Sequence, residues 1–169
     1  MVTEDWRARI SDEAERVHES AMLSSQTQFE FSKSWRRVDR WLGGTAAVLA
    51  AISAAGGLSE VLSSKWAGLV ALAAAGVGAV ATLLGAPKSK DRAHSSANAL
   101  LALQQDARIF VNIDLPNLEP DEARDQLQTL IARLQDLNST AEIPSAKAWS
   151  KGKANVTGGA QTYAVDKEK

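Results

Sequence analysis

Few residues in this chain could do chemistry by type and spacing, and those few do not converge. There are two histidines, His18 and His94, and no cysteine. Without cysteine there can be no disulfide, thiolate metal site or thiol nucleophile. His18 precedes the first of two long apolar runs and His94 follows the second. On helices leaving that apolar region together they would stand roughly 35 and 10 Å from it, too far apart to share a metal within one chain. No Glu-x-x-His, Gly-x-Ser-x-Gly or phosphate-loop pattern is present. The Gly-Gly pairs at 43–44 and 56–57 lie in apolar sequence with no lysine after them. The acid pairs Asp12/Glu13 and Asp121/Glu122 read as solvated helix faces. The expectation is a protein that is not an enzyme and uses no cofactor and no metal. A net charge of −1 gives no footprint for nucleic acid.

The elements that would position any function are the two apolar runs. Trp41 to Ser59 and Trp66 to Pro87 are 19 and 22 residues long without a charge. As helices they reach roughly 28 and 33 Å, against a hydrocarbon core of about 30 Å. The link Glu60–Lys65 is too short for an independent loop, so the spans must form an antiparallel hairpin. Lys33, Arg36, Arg37 and Arg40 precede the first span, and Lys88, Lys90 and Arg92 follow the second. Basic flanks resist translocation, so both termini should stay on the cytosolic side, with these seven cations at the membrane surface. Residues 1–20 are acidic and lack the apolar stretch of a signal peptide, so no cleavage is expected. A soluble Ala/Gly-rich hairpin is the competing reading, since alanine inserts only marginally.

The spans are rich in small residues. Ala46, Ala50 and Ala54, Ala47, Ala51 and Ala55, and Ala67, Ala71, Ala75 and Ala79 repeat every four positions. Lipid tails supply no hydrophobic drive between helices, so close approach through small residues must hold them together. This favours a homo-oligomer over packing within one hairpin. The spans carry no ionisable residue, which argues against a pump or transporter. Thr45, Ser53 and Thr82 are the polar side chains inside, and Glu60 lies one face-repeat beyond Ser53. These four are the candidate lining or mouth of a pore formed by several hairpins. Gly43 and Gly44, directly after the basic segment, are the candidate hinge.

The flanks read as helices. Residues 3–42 follow a 3.5-residue repeat at Ile10, Ala14, Val17, Ala21, Ser24, Gln28, Phe31, Trp35, Val38 and Leu42, the seam of a coiled-coil-like contact. Thr3 suits the N-cap, and the polar segment 24–27 is where a break would fall. A second helix from Asp91 to Val111 would pack through Ala93, Ala97, Leu100, Leu103, Ala107 and Phe110. A turn at 114–120 leads to a third through Ala123, Leu127, Leu130, Leu134 and Leu137, opened by Pro120. The predicted class is therefore all-α: a two-span transmembrane hairpin (41–87) with a cytosolic N-terminal helix (1–40) and C-terminal helices (88–149) forming a small bundle. Residues 150–169 are Gly-, Lys- and Thr-rich and read as a mobile tail.

The layout, the stretches FEFSKSWRRVDRWLG at 29–43 and DRAHSSANALLALQQDARIF at 91–110, and the closing EIPSAKAW at 142–149 resemble the SLATT domain family. These are two-transmembrane effectors associated with SMODS nucleotidyltransferases and SLOG sensors. The resemblance covers about residues 5–150. It implies a bacterial inner-membrane effector in antiphage defence that assembles into a pore when a nucleotidyltransferase or sensor partner signals infection. Such a protein would contact membrane lipid and further copies of itself. A constitutive membrane-anchored scaffold that recruits a partner is the alternative.

Overall fold

From Thr3 to Leu58 the chain contains no proline, and in the computed structural model this whole stretch is one helix, α1. The structure describes residues 3–58 and 64–161. Four more helices follow: α2 (Ser64–Leu84), α3 (Ala86–Ile109), α4 (Pro120–Thr140) and α5 (Ala146–Thr157). No strand occurs among the described residues, so the chain is all-α. It divides into two compact units, Lys33–Asp91 and the residues on either side of that segment.

The flanking unit is a helical bundle. Ala14 meets Phe110, Leu115, Ala123 and Leu127 in one core cluster. Val17 and Ala21 meet Leu103 and Ala107 in a second, with Leu130, Leu134 and Leu137 packed on it. All six positions of the apolar stripe from Ala93 to Phe110, five on α3 and Phe110 just beyond it, are buried. On α1 the buried positions are Ala14, Val17, Ala21, Ser25, Gln28 and Ser32, with Thr27 buried beside them. They run at 3.6 residues per turn, the period of a straight helix, where the 3.5 repeat of a supercoiled seam was expected. The face therefore slips by one residue past Ala21: Ser25 and Ser32 are buried, while Ser24 and Phe31 are only half-covered.

The polar stretch at 24–27 holds no break. Two of its hydroxyls bond back to the helix, and the next residue, Gln28, reaches the chain's C-terminal part. Ser25 Oγ donates to the Met22 carbonyl at 3.0 Å, and Thr27 Oγ1 to the Leu23 carbonyl at 2.8 Å. Gln28 Nε2 donates to the Glu142 carbonyl at 2.8 Å. Residues 150–157, expected in a mobile tail, belong to α5, and Gly152 and Ala148 are buried. Ser145 caps this helix, accepting from the Ala148 N–H at 3.2 Å. Gly152 is needed there: a Cβ would lie 2.5 Å from Thr27 Oγ1 and 2.8 Å from its backbone N. Asn155 Nδ2 adds a 3.2 Å hydrogen bond to Glu30.

Between α3 and α4 the chain widens into a π-helical turn, Phe110–Asp114, then tightens into a 3-10 turn, Leu115–Asn117. The Leu115 N–H bonds the Phe110 carbonyl, the five-residue step of a π turn. That step puts Phe110 and Leu115 on one buried face and leaves Ile113 outside. Pro120 opens α4, with Asp121 and Glu122 in its first turn.

In the unit Lys33–Asp91, α2 ends at a left-handed residue, Gly85, with φ of 57°. Its N–H reaches the Thr82 carbonyl at 3.2 Å, and its own carbonyl accepts from Ser89 at 3.0 Å in α3. Glycine just past a helix end is the residue that takes this conformation without strain. The predicted link Glu60–Lys65 lies largely at 59–63, outside the described residues.

Candidate membrane-facing site

The unit Lys33–Asp91 inverts the usual placement of side chains. Leu72 is 77% exposed and Leu83 86%, and Val48, Ile52, Trp66, Leu69, Val80 and Leu84 are exposed as well. Half-covered residues fall on one stripe of each helix. On α1 they are Leu42, Ala46, Leu49 and Ser53; on α2, Val70, Ala74, Val77, Gly78 and Ala81. These stripes repeat at helical spacing, which is how two helices packed along their length cover one another. Small and large apolar residues occur both on these stripes and on the exposed faces. One helical run among the described residues is long and apolar enough to cross a membrane. It begins at Gly68, and its best 18-residue window has mean hydropathy 2.1 with none of it buried.

The polar residues of the runs are scattered. Thr45 Oγ1 donates to the Trp41 carbonyl at 2.8 Å, and Thr82 Oγ1 to the Gly78 carbonyl at 3.0 Å. Each hydroxyl is thus satisfied by its own helix. Both threonines are exposed, whereas Ser53 lies on the half-covered stripe of α1. Thr45 borders a groove with Arg40 and Trp41, and Thr82 a different one with Asp39, Gly43 and Lys88. The structure does not bring Thr45, Ser53 and Thr82 to one surface, and Glu60 lies outside the described residues. Gly43 and Gly44 are helical, and a Cβ on either meets nothing within 4 Å. The backbone irregularity of this unit is at Gly85, a position signalled by a glycine two residues before Pro87.

The seven basic residues divide into two groups. Lys33, Arg36, Arg37 and Arg40 are exposed and spaced i, i+3, i+4, i+7, so they form one face of α1. Lys88 is exposed too. Lys90 instead pairs with Asp39 at 3.5 Å and Asp91 at 3.8 Å, and Arg92 with Glu142 at 3.8 Å. Asp39 is the sole acid between Ser32 and Ser59, and its pairing with Lys90 is a contact that a count of flanking charges does not show.

The histidines stay in the bundle and apart in role. His94 lies edge-on to Phe29, with ring centroids 5.7 Å apart, while His18 Nε2 is 3.4 Å from Gln104 Nε2. No group of three or more His, Cys, Asp or Glu able to hold a metal occurs among the described residues. No protein family, curated protein or solved structure matches this chain.

Proposed function

We propose that this chain is a two-span membrane protein that self-associates through its hairpin and acts as an effector that permeabilises the bacterial inner membrane. The observation that carries the membrane reading is the exposed apolar surface of α2. A 21-residue helix with Leu69, Leu72, Val80 and Leu83 on the outside needs an apolar solvent, and its length matches a bilayer core at about 1.5 Å per residue. The run from Trp41 into residue 59 supplies the second span, and the basic face Lys33–Arg40 holds both termini cytosolic.

Self-association is supported by small residues that this chain does not use. Ala71, Ala75 and Ala79 are exposed at four-residue spacing, and Gly68 and Gly76 have open space where a Cβ would be. A helical glycine costs about 1 kcal/mol relative to alanine. Such notches serve the close approach of another helix, which a second copy would provide. The resemblance to SLATT effectors adds the biological reading: permeabilisation in antiphage defence, triggered by a nucleotidyltransferase or sensor partner.

One observation favours the scaffold alternative. The hydroxyls of Thr45 and Thr82 turn to their own helices, leaving the described outer faces apolar and no hydrophilic strip for a pore. Induced expression in bacteria with a membrane-impermeant DNA stain separates the two. Staining with growth arrest, lost in an Ala75→Leu/Ala79→Leu variant, supports the effector. Normal growth together with cross-linked oligomers supports the scaffold. A protein that cross-links to no second copy at any expression level sinks both assembly readings.

A further inference from the structure

The outer face of α1 carries a groove of about 390 Å³ lined by Arg40, Trp41, Gly44, Thr45, Val48 and Leu49. Its two ends differ in chemistry. At one end Arg40 continues the basic face of Lys33, Arg36 and Arg37. Arg36, Arg37 and Arg40 make no ion pair among the described residues, and the nearby acid, Asp39, is engaged by Lys90 at 3.5 Å. The other end is apolar. Gly44 forms its floor, and a Cβ there would meet nothing within 4 Å, so the missing side chain keeps the groove open. The Thr45 hydroxyl bonds the Trp41 carbonyl, so that wall offers no unsatisfied polar group.

We propose that this groove binds one anionic phospholipid, with its phosphate on Arg40 and the upper part of one acyl chain against Gly44 and Val48. A guanidinium presents paired donors that fit phosphate oxygens, which a lysine ammonium does not. Arg40 to Val48 spans eight residues, about 12 Å along the helix axis, enough for the first half of an acyl chain. Trp41 stands between the two ends, where an indole can keep its N–H wet and its ring in hydrocarbon. Zwitterionic lipids carry the same phosphate, but their choline cation would meet Arg36 and Arg37. Each surface cation attracts an anionic headgroup by roughly fivefold, so the cluster selects net negative lipids. Gly44 then has a role other than bending: it is the notch for a lipid chain.

The proposal rests on the membrane reading, and the test separates them. The full chain is first floated with pure phosphatidylcholine vesicles; failure to float removes the membrane reading and the lipid site with it. If it floats, the protein in mild detergent is offered equal phosphatidylglycerol and phosphatidylcholine, and bound lipid is read by native mass spectrometry. The expected result is one retained phosphatidylglycerol, at least fivefold over phosphatidylcholine. Arg40→Gln should lower that retention severalfold. Gly44→Leu keeps every charge and favours the helix, and it too should lower retention by filling the groove. Unchanged retention in Gly44→Leu would mean diffuse attraction to the basic face and would overturn the site, as would equal retention of both lipids.

Discussion

The bundle and the unit Lys33–Asp91 use the same aliphatic residue in opposite ways. Leu103 in α3 is fully buried among Val17, Ala21 and Ala107, whereas Leu72 in α2 is 77% exposed. In the bundle, large side chains meet inside because water drives them there. In Lys33–Asp91, large apolar side chains such as Leu72 and Leu83 face out. Under the proposed membrane reading, that arrangement is stabilised by apolar surroundings. On that reading, the two regions of one chain are built for different solvents.

Truncating each leucine breaks or sharpens this contrast. Leu103→Ala should cost about 2–5 kcal/mol of bundle stability, the range for buried leucines. It would appear as a lowered midpoint for loss of protection at α3 and α4 amides in hydrogen exchange. Leu72→Ala leaves no cavity, because little within the chain touches it, and should leave protection in the bundle unchanged. A comparable loss from both would mean that Leu72 is buried after all.

A charge gives the next largest effect. Leu72→Arg places a cation near the middle of α2, a change that costs about 2.5–3.5 kcal/mol in a bilayer and nothing in water. The membrane-bound fraction should fall, and an unchanged fraction would place α2 outside the lipid. Gly152→Ala comes third, at about 1–3 kcal/mol, because the new Cβ meets the Thr27 backbone as well as its hydroxyl, and the backbone cannot swing aside. Proteolysis should then begin within α5 while α1, α3 and α4 stay protected. Simultaneous loss of all four would show that α5 is integral to the bundle.

The smallest effect concerns the two glycines at 43 and 44. Both are helical with open space around them, so Gly43→Ala/Gly44→Ala should strengthen α1 by about 1 kcal/mol per site. If these glycines form the hinge, dye entry falls while membrane insertion is unaffected; unchanged dye entry rules the hinge out. Gly85→Ala is the contrasting change, since the left-handed backbone there costs a non-glycine residue about 1–2 kcal/mol.

Helical periodicity made much of the bundle legible. The stripe from Ala93 to Phe110, the start of α4 at Pro120 and its acidic first turn all follow from spacing and charge. Three features did not. The slip from Ser24 to Ser25 reflects a difference of about 0.1 residue per turn, too small to be read from the spacing of a few turns. Gly152 looked like tail sequence because its role depends on Thr27, more than a hundred positions away. The π turn is invisible because nothing in Phe110–Asp114 distinguishes a five-residue step from a four-residue one. In Lys33–Asp91, the apolar runs are plain in the sequence, but the polar candidates are not decidable from identity alone. A threonine's hydroxyl either faces a pore or bonds its own backbone, and spacing does not choose between them.

The absence of native cysteine makes one measurement especially direct. Single cysteines would replace Leu72 and Ile143, the latter 90% exposed in the bundle. A membrane-impermeant maleimide would then be added to lysed cells, where both membrane faces are open to reagent. A thiol in hydrocarbon neither ionises nor meets the reagent. The account predicts that Ile143→Cys is labelled at once and Leu72→Cys only after the membrane is dissolved. Equal labelling of both in intact membranes would mean that α2 faces water and would contradict the membrane reading.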